Sequence, residues 1–342
     1  MIHARLIALL LVAATACAAS PSAANAQSAS KPALMGVNLA NAGFGGKVRP
    51  GVHGVNYLWP KPADIDLYAA LGANAFRIAF LWERMQPKLF GPLDEAEAER
   101  LDALIKRGDE KGVTVILDVH NYAAYYDQLI GSAAVPNDAF YDLWRRLAQR
   151  YKDHPSAAFG LMNEPNKHKA ADWAPIAQGA LTAIRQSGAR QLVLVPGTKW
   201  SGAHSWLAKD GKLSNAEALA DLDDPAHNFV FEVHQYFDAN TSGTNPNCVS
   251  PFVGVERLKA FTEWARKTGN QGFLGEFGAS KDPVCMEALK NTLQYMADNA
   301  DVWKGWTYWA AAPWFGNYMF NVYPPDPARF PQIEILTQAM QR

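Results

Sequence analysis

Two short strings hold residues suited to chemistry. Asn163-Glu164-Pro165 and Gly275-Glu276-Phe277-Gly278 each place a carboxylate at the end of an apolar run, far apart in the chain. Other apolar runs end in a similar way. One carries Arg77, one ends in Asp118-Val119-His120-Asn121, one in His234-Gln235-Tyr236, and the last in Trp309. Taken singly these residues are ordinary: a strand-end Glu is usually a solvated rim group, Arg77 suits a structural carboxylate, and each histidine suits a hydrogen-bonded core. Their joint occurrence at successive run ends points to one rim. Two carboxyl groups facing each other across that rim can share acid–base work. One protonates a leaving oxygen, and the other attacks or activates water, which is what cleavage of a glycosidic bond requires. At a separation of roughly 5–5.5 Å such a pair retains anomeric configuration through a covalent intermediate.

Other chemistries fit less well. His120, His234 and a Glu could be imagined as metal ligands, but the H-x-H and H-E-x-x-H spacings of catalytic zinc sites are missing. No G-x-S-x-G elbow supports a serine nucleophile. The expectation is a reaction with no cofactor and no metal, insensitive to chelator.

The elements that must position these residues alternate along the whole chain. Short β-rich apolar runs cover 34–39, 74–80, 113–119, 158–163, 191–196, 229–234, 272–275 and 303–309. Helix-patterned segments lie between them at 63–71, 94–111, 138–151, 172–187, 253–268 and 283–299, with a short helix near 215–222. Asp94, Asp138 and Asp172 offer N-terminal signals. Eight strand–helix units predict a parallel (β/α)8 (TIM) barrel, whose chemistry sits at the C-terminal strand ends. A doubly wound sheet is the rival. Its phosphate-binding turn is not matched, because Gly43-Phe44-Gly45-Gly46 lacks the G-x-G-x-x-G spacing. No linker, low-complexity tail or second domain is visible.

The bulk numbers agree with a single catalytic domain over 27–342. The 342-residue chain is 49% hydrophobic and 19% charged, with material for a large core. Its 32 basic and 33 acidic side chains leave a net charge of −1, which gives no reason to expect nucleic acid or an anionic membrane as partner. Eleven Trp, 12 Tyr and 16 Phe are mostly core, but flat sugar faces also stack on such rings. The first 26 residues read as a signal peptide: His3 and Arg5, an apolar run over 6–14, then Ala24-Asn25-Ala26. Cleavage after Ala26 gives a secreted or periplasmic protein, with no membrane contact once the signal is removed. Lipoprotein processing at Cys17 is the competing reading. The mature chain keeps Cys248 and Cys285, which in an exported protein suggests one disulfide, against two buried free thiols.

The strings "FRIAF", "DVHNY", "LMNEPN", "VHQYFD", "LGEFG" and "WTYWA" resemble glycoside hydrolase family 5, a group of retaining barrel enzymes. "GTKWSGAHSW" and "HQYFDANTSGTNPNCVS" resemble its subfamily 5, mostly endo-β-1,4-glucanases. The likeness spans about residues 36–314.

The resemblance implies roles by position. Glu164 would be the acid/base and Glu276 the nucleophile, with their pKa values pushed apart by mutual repulsion and by Arg77. Asn163 would hold the 2-hydroxyl, and Tyr236 would hydrogen-bond Glu276. His120 and His234 would line the cleavage subsite beneath a sugar stacked on Trp309, and His234 would help tune the acid/base. Trp200 would stack a sugar on the leaving-group side, and Asn41 and Trp314 would touch the glycone side. The family also accommodates a Cys248–Cys285 disulfide. Gly43 stands where an acidic residue is common, and Phe315 where a second Trp is common. The expected protein is a monomer acting on a β-1,4-glucan. Another β-glycan (mannan, xyloglucan or mixed-linkage glucan) is the first alternative, and a non-catalytic polysaccharide-binding protein the second.

Overall fold

In the computed structural model, Met1 and residues 31–341 are described. The expected signal peptide, its cleavage site and Cys17 lie outside the described residues, Met1 apart.

Eight parallel strands close into a barrel. In chain order they are β1 (Leu34–Leu39), β2 (Ala75–Phe80), β3 (Thr114–Val119), β4 (Ala157–Gly160), β5 (Val193–Pro196), β6 (Phe229–His234), β7 (Gly272–Glu276) and β8 (Trp303–Tyr308). Each pairs with its sequence neighbour, and β1 closes on β8 with Val37 opposite Tyr308. The strands read as apolar runs rather than alternating ones because both faces are covered, as in any barrel wrapped by helices.

Side chains of period two point into the barrel. Near its floor Ile116, Ala158, Leu194, Val230 and Phe273 pack into an apolar plug of their own. Two residues further along β3 comes Asp118, then His120; along β6, Glu232, then His234. The same face that carries the plug thus carries buried acids and then histidines at the mouth.

Helices cover the outside. The helix Glu95–Lys111 is capped by Asp94, which accepts from the Glu97 amide, and ends on Gly112 at φ 65°, a left-handed position where glycine costs least. Asp138 and Asp172 are not caps. Their helices start earlier, at Asn137 and Ala170, so both acids sit in the first turn, where they oppose the helix dipole. The fourth strand stops at Gly160 rather than at 163, and Leu161 and Asn163 continue its line through single bonds to Leu194 and Val119. Elements that escaped the sequence pattern because they are short or terminal include the Trp82–Met85 helix, a two-stranded hairpin of Ala124–Tyr125 and Gln128–Leu129, and the Gln332–Gln341 helix. The Cys248–Cys285 disulfide is formed, with Cα atoms 5.2 Å apart.

Candidate active site

The sequence-selected residues converge at the C-terminal mouth of the barrel. Arg77, from β2, is fully buried and organises it. Its Nη1 donates to Asn38 Oδ1 and Glu276 Oε1, each at 3.0 Å, and sits 3.0 Å from Asp118. Nη2 donates to Asn163 Oδ1 at 2.9 Å. Nε lies 2.8 Å from Glu232, an ion pair off hydrogen-bond alignment. A buried guanidinium needs such company, since removing a charge from water costs several kcal/mol unless it is paired.

Glu276 ends β7 and accepts a second hydrogen bond, from the Tyr236 hydroxyl to Oε2 at 2.8 Å. Asn163 spends its amide oxygen on Arg77. That fixes the amide orientation and leaves its buried NH2 group without a protein partner. Glu164 stands just past β4 with φ 44°, a left-handed backbone that swings its carboxyl over the mouth. His234 Nδ1 is 2.7 Å from Glu164 Oε1 and 3.6 Å from Glu276 Oε2. One atom each from Glu164, His234 and Glu276 lies within 4.8 Å of the other two.

The charge states stem from these contacts. Burial raises the Glu164 carboxyl above the ordinary glutamate range; His234 opposes this, and the Glu276 charge adds to it. Burial pulls the His234 imidazole down, but the Glu276 charge and the bonds to Glu164 and Glu232 outweigh it and push it up to about 10. Asp118 is held below the usual carboxylate range: burial works against this, and Arg77 and His120 prevail. Among the described residues, Glu164, His234 and Glu276 are also the one trio with metal-like spacing.

The walls are aromatic. Trp309 is parallel to His120, at 11° and 5.6 Å between ring centres, and comes directly after β8. His120 is fixed from behind by Asp118 at 2.8 Å. Phe44, Tyr122 and Tyr318, which the sequence did not single out, join Trp309, His120 and both glutamates around a cavity of about 590 Å³. A second cavity of about 680 Å³ shares Glu164, Tyr122 and Tyr236 with it and is lined by Trp200 and His204. The two form one cleft with the glutamates in the middle. Trp200 is 57% exposed, in a run of three left-handed residues from Lys199 to Ser201.

The outer positions differ. Trp314 stands half-exposed on the rim and lines neither of these cavities. Asn41 is buried beneath the Phe44 loop, with both amide atoms unpartnered. Gly43 has a steric reason to be small: a Cβ there would lie 2.9 Å from Ala79 Cβ and 3.2 Å from His120 Cβ.

A closed barrel whose mouth holds two facing carboxyls, one ionically braced and one raised in pKa, defines a glycosidase site. The family profile described as Cellulase (glycosyl hydrolase family 5) matches residues 35–312. A probable endo-β-1,4-glucanase B of Neosartorya fischeri is 37% identical over 322 residues, 94% of this chain and 95% of that protein. Endo-β-1,4-glucanase B of Aspergillus niger is 36% identical over 292 residues, 85% of each. Among solved structures, XacCel5A in complex with cellopentaose superposes with a TM-score of 0.88 at 46% identity, covering 90% of this chain and 99% of that one. Pseudomonas stutzeri endoglucanase Cel5A in complex with cellobiose gives 0.82 at 35% identity, covering 90% and 92%. The chain belongs to glycoside hydrolase family 5.

Proposed function

We propose that this chain is an exported, monomeric endo-β-1,4-glucanase that cleaves internal bonds with retention, using Glu276 as nucleophile and Glu164 as acid/base. The observation that carries the mechanism is that one oxygen of Glu164 lies within 4.8 Å of one oxygen of Glu276, an approach that suits the short spacing of retaining enzymes better than the wider gap of inverting ones. A chain lying along the cleft places one sugar on Trp309, between the glutamates. Glu276 attacks its anomeric carbon while Glu164 gives its proton to the glycosidic oxygen. The C1–O bond breaks, the leaving chain departs past Trp200 with a new hydroxyl, and a glycosyl ester forms on Glu276. Water then attacks C1, Glu164 takes its proton, and Glu276 is freed. The unpartnered Asn163 NH2 group suits the 2-hydroxyl of that sugar, a contact that tightens in the transition state. Trp314 takes an outer glycone sugar, and Asn41 supports the Phe44 loop from below.

The substrate rests on the curated relatives and on an open cleft suited to mid-chain binding. The test uses the mature chain from Gln27 on carboxymethyl-cellulose, mannan, xyloglucan and mixed-linkage glucan. A rapid fall in carboxymethyl-cellulose viscosity, absent in Glu276→Gln although that variant still binds glucan, is expected. Preference for another glycan would move the substrate and keep the chemistry. Binding without turnover on all four would overturn the enzyme.

A further inference from the structure

Behind the two histidines of the mouth lies a repeated arrangement. Asp118 on β3 precedes His120, the residue just past that strand, by two positions, and Glu232 precedes His234 by two on β6, so each acid shares its histidine's face. Both acids are fully buried, and both pair with Arg77, which sits between them. Glu232 Oε1 also lies 3.4 Å from His234 Nε2, while Nδ1 of the same ring lies 2.7 Å from Glu164. The room for this carboxyl comes from β7: a Cβ on Gly275 would lie 2.2 Å from Glu232 Oε1, so only glycine admits it.

We propose that Glu232 is a positioning residue for the acid/base: from beneath the mouth it accepts a hydrogen bond from His234 Nε2–H, fixing the ring so that Nδ1–H is presented to Glu164. This rests on the assignment of Glu164 as acid/base. A ring with carboxyl oxygens at both nitrogens is held as the double donor. The charges around it favour that state. Three carboxyls, Glu164, Glu276 and Glu232, face the ring directly, while Asp118, His120 and the Arg77 guanidinium lie behind them, so the surroundings are net negative. The cationic ring, raised to about 10, then opposes the effect of burial on Glu164. Burial alone would make Glu164 a reluctant acid. The imidazolium lets it release its proton to the leaving oxygen and stabilises the carboxylate that remains.

The test is ring-nitrogen NMR on histidine-labelled protein, with the His234 signals assigned from a His234→Asn sample, together with steady-state kinetics. In the wild type the His234 ring should stay doubly protonated through neutral pH. In Glu232→Gln its midpoint should fall by at least one pH unit, and kcat should drop roughly tenfold or more with KM within about threefold. Glu232→Asp should restore part of both. A wild-type ring that titrates near its ordinary value overturns the proposal without any variant. So does a Glu232→Gln protein with unchanged His234 titration or unchanged kcat. Failure of Glu164 as acid/base would show separately, as full activity in Glu164→Gln with the His234 titration as expected here.

Discussion

Replacing Arg77 by Met is the most informative perturbation of the barrel. Met keeps much of the volume and removes the charge that Asp118, Glu232 and Glu276 share. Breaking a buried ion pair by deleting one partner costs about 3–5 kcal/mol, because the other charge is left unpaired. For a fold of roughly 310 residues the unfolding entropy is about 0.65 kcal/mol per degree, so the midpoint should fall by about 5–8 °C near pH 7. The pH dependence has a definite sign. With Arg77 present, the folded Asp118 carboxyl lies below its ordinary pKa. Its stabilisation is therefore present above the ordinary carboxylate range and lost only as pH falls through the lower folded value. Without Arg77, the largest single counterweight to burial, the folded pKa is expected to rise above the unfolded one although His120 still opposes this. That carboxyl then favours the fold at acid pH and penalises it as pH rises. The gap between wild type and Arg77→Met should be widest near pH 7 and narrow toward pH 4. Calorimetric or circular-dichroism melts across that range measure it. A gap under about 1 °C, or one that does not change with pH, would refute a buried charge network under the site.

Three further outcomes are expected from the same geometry. Because burial raises Glu164, its proton should persist above the ordinary glutamate range, so the alkaline limb of kcat/KM should lie above that range; Glu164→Ala, assayed on an aryl glycoside that needs no leaving-group proton, should lose that limb. Removing the Cys248–Cys285 bridge, which spans 37 residues, should cost about 4 kcal/mol on the chain-entropy view, read as a lower melting midpoint in Cys248→Ser/Cys285→Ser. Trp200→Ala, at an exposed ring lining the second cavity, should, on the proposed leaving-group-side stacking, raise KM for cello-oligosaccharides by roughly five- to tenfold with little change in binding of a glycone-side disaccharide.

Much of this site was legible in the chain because strand ends in a barrel point to one rim. The residues at the ends of the apolar runs therefore supplied most of the mouth: Arg77, His120, Glu164, His234, Tyr236, Glu276 and Trp309. Of the inner acids, Asp118 stood at a run end with no role assigned and Glu232 was not singled out, although a signal existed. Asp118 and Glu232 are charged residues inside otherwise apolar strands, each two positions before a histidine, and period two puts them on its face. What the chain did not reveal was that Arg77 would meet both, since that depends on which strands oppose each other across the barrel. The cleft walls were less accessible still. Phe44, Tyr122 and Tyr318 sit on loops whose shape depends on left-handed residues such as Tyr122, at φ 52°. Asn41 is another case: its place after β1 was legible, but not that the short turn Asn41–Gly43 leaves it buried.

The pairing of Glu164 with Glu276 as acid/base and nucleophile is tested most directly by the anomer first released from a cello-oligosaccharide, monitored by proton NMR before mutarotation. Retention through a glycosyl ester on Glu276 predicts the β-anomer as the initial product. An initial α-anomer would mean that water attacks directly, and would contradict both the nucleophile and the meaning given to the short carboxyl spacing.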